Sequence, residues 1–112
     1  MKVAIPIANE RLALHFGHAD EFALITVDRE NKRIVGKQML AAPPHEPGLL
    51  PRWLSGEGAQ VIIAGGMGVR AQTLFAEQNI EVVVGALGGT PEEVVTAWMD
   101  GTLKSGSNPC DH

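Results

Sequence analysis

Two short runs constrain the architecture of this chain more than any other feature. Residues 2–8 (Lys-Val-Ala-Ile-Pro-Ile-Ala) and 60–64 (Gln-Val-Ile-Ile-Ala) are rich in β-branched residues, too short for typical helices, and apolar at successive rather than alternate positions. A strand with apolar side chains on both faces has to be covered on both faces, which is the situation of a central strand in an open α/β sheet. Each run ends in a segment unsuited to a core. The first leads into a polar stretch at residues 9–19, the second into Gly65-Gly66-Met67-Gly68. Pro6 lacks the N–H that a ladder needs, so the first strand is expected to end or bulge close to it.

The remaining elements follow from patterning. Residues 21–28 and 33–40 alternate well enough to be strands, and the polar run 28–32 between them reads as a hairpin turn. Residues 41–47 hold three prolines and His45 and are irregular. Pro51 is compatible only with the beginning of a helix, so a helix is expected from about Pro47 or Gly48 through Leu50, Trp53 and Leu54, fraying before Gly58; Trp53 is read as core packing. A second helix is expected over 69–78, with Ala71, Leu74 and Phe75 on one face, followed by a strand over 80–84. Thr90-Pro91-Glu92-Glu93 combines an N-cap hydroxyl, a proline at the first helical position and a capping-box glutamate, and Gly101 ends that helix.

The resulting order is β-β-β-α-β-α-β-α. With the first, fourth and fifth strands parallel, and the second and third folded antiparallel onto one side, four connections emerge at the carboxyl end of the first strand. These are residues 9–19, 41–46, the Gly65–Gly68 turn, and the glycine-rich stretch 85–89. Ligands bind at that end of open α/β sheets.

Within the first of these connections, His15-Phe16-Gly17-His18 brackets a Phe-Gly pair with two imidazoles. Neutral imidazole nitrogens are metal ligands at physiological pH. Solvated or capping histidines would be the plain reading of such a pair, but His45 is brought to the same edge by the topology. A Cys-x-His pair, Cys110 and His112, also closes the chain. A frayed terminus is the ordinary fate of a tail, yet this one carries the only cysteine and one of four histidines. Imidazole and thiolate together suit a soft transition metal. His15, His18, His45, Cys110 and His112 are therefore the expected metal ligands. Gly65, Gly66, Met67 and Gly68 are read as cofactor-binding residues, the glycine turn offering backbone N–H groups and a helix N-terminus to an anion. For the Met67 side chain, an adaptable packing role is favoured over that of a soft sulfur neighbour. The turn is neither a Walker motif nor a full dinucleotide fingerprint.

Composition narrows the class. A chain of 112 residues with 45% apolar and 20% charged residues supports one folded domain. A formal charge of −4 with scattered Lys and Arg argues against nucleic acid as a partner, and no apolar run reaches membrane-spanning length. Together with a single cysteine, which rules out an internal disulfide, and the lack of a signal-peptide pattern, this gives a cytoplasmic expectation. No serine elbow or evident acid/base pair of carboxylates is present, so the expectation is a non-enzyme.

Lys2-Val3-Ala4-Ile5-Pro6, His15-Phe16-Gly17-His18-Ala19, residues 61–68 and the Gly101-Thr102-Leu103 ending resemble the dinitrogenase iron–molybdenum cofactor biosynthesis family, which includes NifX and the C-terminal part of NifB. The resemblance implies a ribonuclease H-like three-layer fold with a five-stranded mixed sheet. It also implies a non-catalytic role in binding or carrying iron–sulfur or iron–molybdenum clusters, with His15, Phe16 and Gly17 touching the cluster. On this reading residues 1–104 form a single NifX/NifB-like cofactor-binding domain, a small stand-alone member, and residues 105–112 a tail able to supply ligands. Cluster-assembly or acceptor proteins are the implied partners. A single transition-metal ion is the alternative cargo. A small enzyme or regulator holding a nucleotide or phosphorylated metabolite on its glycine turns is the alternative function. Ribonuclease H chemistry itself is not expected, since the two central strands hold no Asp or Glu to bind paired divalent ions.

Overall fold

The computed structural model describes residues 1–13, 16, 19–44, 46 and 48–103. Its sheet is built on β1 (Lys2–Ala8), in which Val3, Ala4, Ile5 and Ile7 are at most 1% exposed. On one side β1 pairs antiparallel with β3 (Glu21–Asp28), which in turn pairs antiparallel with β4 (Arg33–Ala41). On the other side it pairs in parallel with β5 (Ala59–Ile63), and β5 with β6 (Glu81–Val83). The order across the sheet is β4-β3-β1-β5-β6. The five strands expected from the sequence are all present, with the expected directions.

The structure adds a sixth. The two-residue strand β2 (Arg11–Leu12) folds back on β1 and pairs Ile7 with Leu12 and Ala8 with Arg11. The intervening residues Asn9 and Glu10 have φ of 53° and 68°. Positive φ at both central residues defines a tight hairpin turn whose twist matches that of its strands. Asparagine adopts this conformation readily, whereas glutamate does so against its steric preference. The expected loop 9–19 therefore begins as a hairpin.

The expectation for Pro6 is also corrected, because β1 runs through it without a break to Ala8. Pro6 pairs with Phe22 of β3, and its carbonyl accepts a hydrogen bond from Ala13 N–H at 2.8 Å on the opposite side. A strand residue points its N and its C=O to the same side, so the missing donor faces away from β3. Pairing with β5 extends only to Ala4 and β2 ends at Leu12, so the missing donor lies beyond the end of both ladders on that side.

Three helices complete the layers. Helices α1 (Leu49–Gly56) and α2 (Val69–Glu77) cover one face, over a cluster built on Phe22, Leu24, Leu54, Ile62, Met67 and Phe75. Helix α3 (Pro91–Asp100) covers the other, over Val3, Ile5, Ile25, Val61, Ile63 and Val94. Trp53 packs edge-on against Phe22, with ring centroids 5.7 Å apart, which fits its reading as a core residue. On the α3 face, the Arg29 guanidinium lies 4.8 Å from the centre of the Trp98 ring. Lys37 of β4 pairs with Glu92 at 3.1 Å.

The start of α3 matches its sequence signature. Thr90 Oγ1 accepts from Glu93 N–H, and the Glu93 carboxylate accepts from Thr90 N–H at 2.9 Å. The helix ends on Gly101 in the left-handed conformation (φ 74°), which glycine adopts without a Cβ clash. In β4 a register shift opposite Thr26 and Val27 leaves Val35 without a partner and 58% exposed.

Two predictions follow from this geometry. Glu10→Gly should raise stability by about 0.5–1 kcal/mol by removing the strain of the second turn position, as read from urea unfolding midpoints; an unchanged or lowered midpoint refutes the turn assignment. The backbone hydrogen bond from Thr90, then its side-chain hydrogen bond, lowers the Glu93 pKa below the ordinary 4.5. A lowered native pKa stabilises the fold above the unfolded value and is lost as pH falls through the native one. Glu93→Gln, which keeps an acceptor for the capping box, should therefore flatten the stability–pH curve below about pH 4.5.

Candidate functional site

The connections at the carboxyl end of β1 are joined to one another by backbone hydrogen bonds. Phe16 N–H donates to Gly66 C=O at 2.8 Å, and Leu12 N–H to Gly89 C=O at 2.9 Å. Gly85 N–H donates to Gly65 C=O at 2.7 Å, and Ala42 N–H to Asp20 C=O at 3.1 Å. The edge at which topology gathers the unusual segments is thus a connected surface.

The glycine turn is anchored by its acceptors. The carbonyls of Ala64, Gly65, Gly66 and Met67 accept, in turn, from Ala86 N–H, Gly85 N–H, Phe16 N–H and the Gln72 side-chain amide. With these four carbonyls directed into the protein, the partial charge left at the head of α2 is positive. Gly68, the N-cap, is extended (φ −65°, ψ 154°) and places no side chain over that end. A Cβ built there meets nothing within 4 Å, so neither sterics nor backbone conformation requires glycine at this position. Gly65 and Gly66 are buried. Met67 is 1% exposed and its side chain packs in the core cluster beneath α1 and α2.

Phe16 joins the motif to the core. Its ring meets Phe75 edge-on at 5.4 Å and Phe22 at 6.0 Å. It also lines a cleft of about 250 Å³ between α1 and α2, walled by Leu50, Pro51, Ala71 and Leu74. Glu46 and Arg70 supply the charged groups of its lining. Sequence reasoning missed Arg70, although it stands only two residues beyond Gly68; its relevance depends on how α1 packs against α2.

A larger cleft of about 640 Å³ lies along α3, lined by Arg11, Leu12, Leu87, Gly89, Glu93 and Leu103, among others. Glu93 already occupies its polar end, where the capping box uses the helix N-terminus, and Arg11 acts on that same carboxylate. Its size is the greater, but the chemistry of the motifs lies with the α1–α2 cleft.

The five expected metal ligands, His15, His18, His45, Cys110 and His112, and also Gly17, lie outside the described residues. Among the described residues, which include none of the histidines and not the cysteine, no three Asp or Glu side chains gather as a metal site. Phe16 and Glu46, sequence neighbours of His15 and His45, line the same cleft.

The fold and this edge define a class, an open α/β domain whose connecting loops converge at the carboxyl end of its parallel strands. The chain belongs to the dinitrogenase iron-molybdenum cofactor family, whose model matches residues 1–101. It is 28% identical over 109 residues to protein MJ0580 of Methanocaldococcus jannaschii, covering 93% of this chain and 90% of that one. The crystal structure of PH0822 superposes with a TM-score of 0.85 at 29% identity, over 94% of both chains. The apo form of the orange protein from Desulfovibrio gigas shares the fold, with a TM-score of 0.70 at 21% identity over 96% of this chain and 94% of that one. The family is associated with iron–molybdenum cofactor biosynthesis or binding.

Because glycine at position 68 leaves the head of α2 uncovered, Gly68→Asp should provide a cap and a favourable charge there, adding about 0.5 kcal/mol in thermal or chemical unfolding. The same carboxylate should weaken binding of an anionic ligand at this edge. A variant that is both more stable and equally competent to bind would remove the turn from the site.

Proposed function

We propose that the protein binds and carries an iron–sulfur or iron–molybdenum type cluster without transforming it. The observation that carries this reading is the hydrogen bond from Phe16 N–H to Gly66 C=O, which ties the His-Phe-Gly motif to the glycine turn at one sheet edge. Family membership supplies the cofactor association. His15, His18, His45, Cys110 and His112 are the proposed ligands, imidazole and thiolate being suited to soft iron centres. Phe16, Gly17 and the turn from Gly65 to Gly68 are proposed to contact the cargo, with the positive head of α2 facing it. Residues 1–104 form the proposed cofactor-binding domain, and the tail 105–112 supplies further ligands.

The size of the α1–α2 cleft favours a compact cargo. At about 250 Å³ it falls below the ~300–1,000 Å³ typical of sites for drug-sized organic ligands, which speaks against a nucleotide. The strand order and three-layer build support reading the fold as ribonuclease H-like. Hydrolysis in the manner of that fold needs carboxylates on the central strands, and β1 and β5 carry none. A carrier of this kind would work in the cytoplasm and exchange cargo with assembly or acceptor proteins. No described helix is long and apolar enough to cross a membrane, and the charge of −4 disfavours nucleic acid.

Anaerobic reconstitution with iron and sulfide, followed by metal and sulfide analysis and an absorption spectrum, tests the proposal. The parent should acquire a sulfide-containing chromophore, and the His15→Ala/His18→Ala double variant should lose roughly tenfold or more in affinity while keeping its circular dichroism. Metal without sulfide would indicate a single ion. Binding of a phosphorylated ligand that survives chelation would indicate the nucleotide or metabolite reading. A double variant that binds as well as the parent, or that unfolds, refutes the ligand assignment.

A further inference from the structure

The larger cleft, along α3, leads from the last described residue to the carboxyl end of β1. At the end of α3, Gly101 N–H donates to Trp98 C=O at 3.2 Å and Thr102 N–H to Ala97 C=O at 2.8 Å, the bond pair that closes a helix and turns its chain back. Leu103, next after this reversal, is partly buried against the α3-side core and lines the cleft beside Val94 and Ala97. Leu87, Gly89 and Arg11 line the far end, where Leu12 N–H donates to Gly89 C=O among the carboxyl-end loops. Leu87 is 64% exposed there. Residues 104–112, Lys-Ser-Gly-Ser-Asn-Pro-Cys-Asp-His, continue directly from Leu103 and lie outside the described residues.

We propose that residues 104–112 dock in this cleft, running back along α3 from Leu103 so that Pro109 and Cys110 cover Leu87 and the Cys110–His112 pair reaches the carboxyl-end edge. The proposal deepens the ligand role given to the tail, since it supplies the route by which a thiol and an imidazole arrive there. Direction favours it, because the reversal at Gly101 and Thr102 already points the chain into the cleft. Length allows it: the ten residues of α3 rise about 15 Å, whereas the seven extended residues from Leu103 to Cys110 span about 23 Å. Charge orders it. Exposed Asp100 lies with Thr102 where the chain leaves the helix, and exposed Arg11 lies at the far end. The tail offers Lys104 first and Asp111 last, the complementary order. Glu93 shares the Arg11 end, but its carboxylate is held by the capping box. Pro109 fixes its own φ and biases Asn108 toward extended backbone, which suits a segment laid along a groove.

The experiment uses the full, metal-free chain, dilute in a glutathione redox buffer, and measures disulfide closure between Cys110 and a second cysteine. Leu87→Cys tests the docked register, and Ala97→Cys, on the same cleft but nearer Leu103, tests reach alone. A tail that is merely tethered closes at the millimolar effective concentration of a short flexible linker and favours the nearer position. A docked tail should instead close onto Leu87→Cys about tenfold more favourably than onto Ala97→Cys. Adding Arg11→Gln should lower the Leu87→Cys value about two- to fivefold, and added salt should act in the same sense. In the chain without a second cysteine, Cys110 should alkylate severalfold more slowly than in a peptide of residues 104–112. Equal closure at the two positions, a preference for Ala97→Cys, or alkylation as fast as in the peptide would overturn the docking. Disulfide-linked dimers in place of internal closure would also overturn it, marking the cleft as a contact between copies. With no metal present, any of these failures leaves the ligand role of His15 and His18 standing, whereas a failed reconstitution beside normal closure would remove the carrier reading alone.

Discussion

The position of β1 in the sheet is the constraint on which the rest of this structure depends. Among the described residues it is the one strand that pairs with three others: β3 along its antiparallel side, and β5 and β2 along its other side. Its residues alternate between the two core clusters, Val3, Ile5 and Ile7 toward α3 and Ala4 toward α1 and α2. Burial on both faces requires cover on both, and the parallel pairing with β5 requires a crossover that places a helix on one face. Given β1, the layer order and the location of the carboxyl-end loops follow.

That location turns separate loops into one connected edge. Had β5 run antiparallel to β1, the glycine turn would leave the sheet at the opposite end from Phe16, and no local property of either segment could bring them together. The parallel pairing instead allows a direct hydrogen bond between them. Phe16 then has two functions: its backbone ties the loop to the glycine turn, and its ring packs against Phe75 and Phe22 in the core. The ligand contact proposed there would be supported by rigid elements rather than by a loop alone.

What could be read from the sequence reflects which interactions are local. The boundaries of α3 were legible because Thr90, Pro91, Glu93 and Gly101 each act within a turn of the helix. The five strands other than β2 were legible from their apolar patterns. The hairpin at Asn9 and Glu10 was hidden because glutamate stands where the turn favours glycine. Pro6 was misjudged because the harm done by a missing N–H depends on which neighbour it faces, and the extents of β5 and β2 decide that. At the site, the convergence of Phe16 with Gly66 was foreseen from strand order. Arg70 was not, since its place on the cleft depends on the packing of α1 against α2, which no local pattern encodes.

The unmatched Val35 in β4 has a consequence for how the sheet ends. β4 is a nine-residue border strand, and an unbroken row of free N–H and C=O groups along it would be a template for another extended chain. The register shift interrupts that row partway along, and Lys37 adds charge beside the interruption. The opposite border, β6, has only three residues. A sheet with one border broken and the other short stops growing at its own edges. The protein can therefore leave the carboxyl-end loops open to a ligand without also offering the flanks of its sheet to other strands.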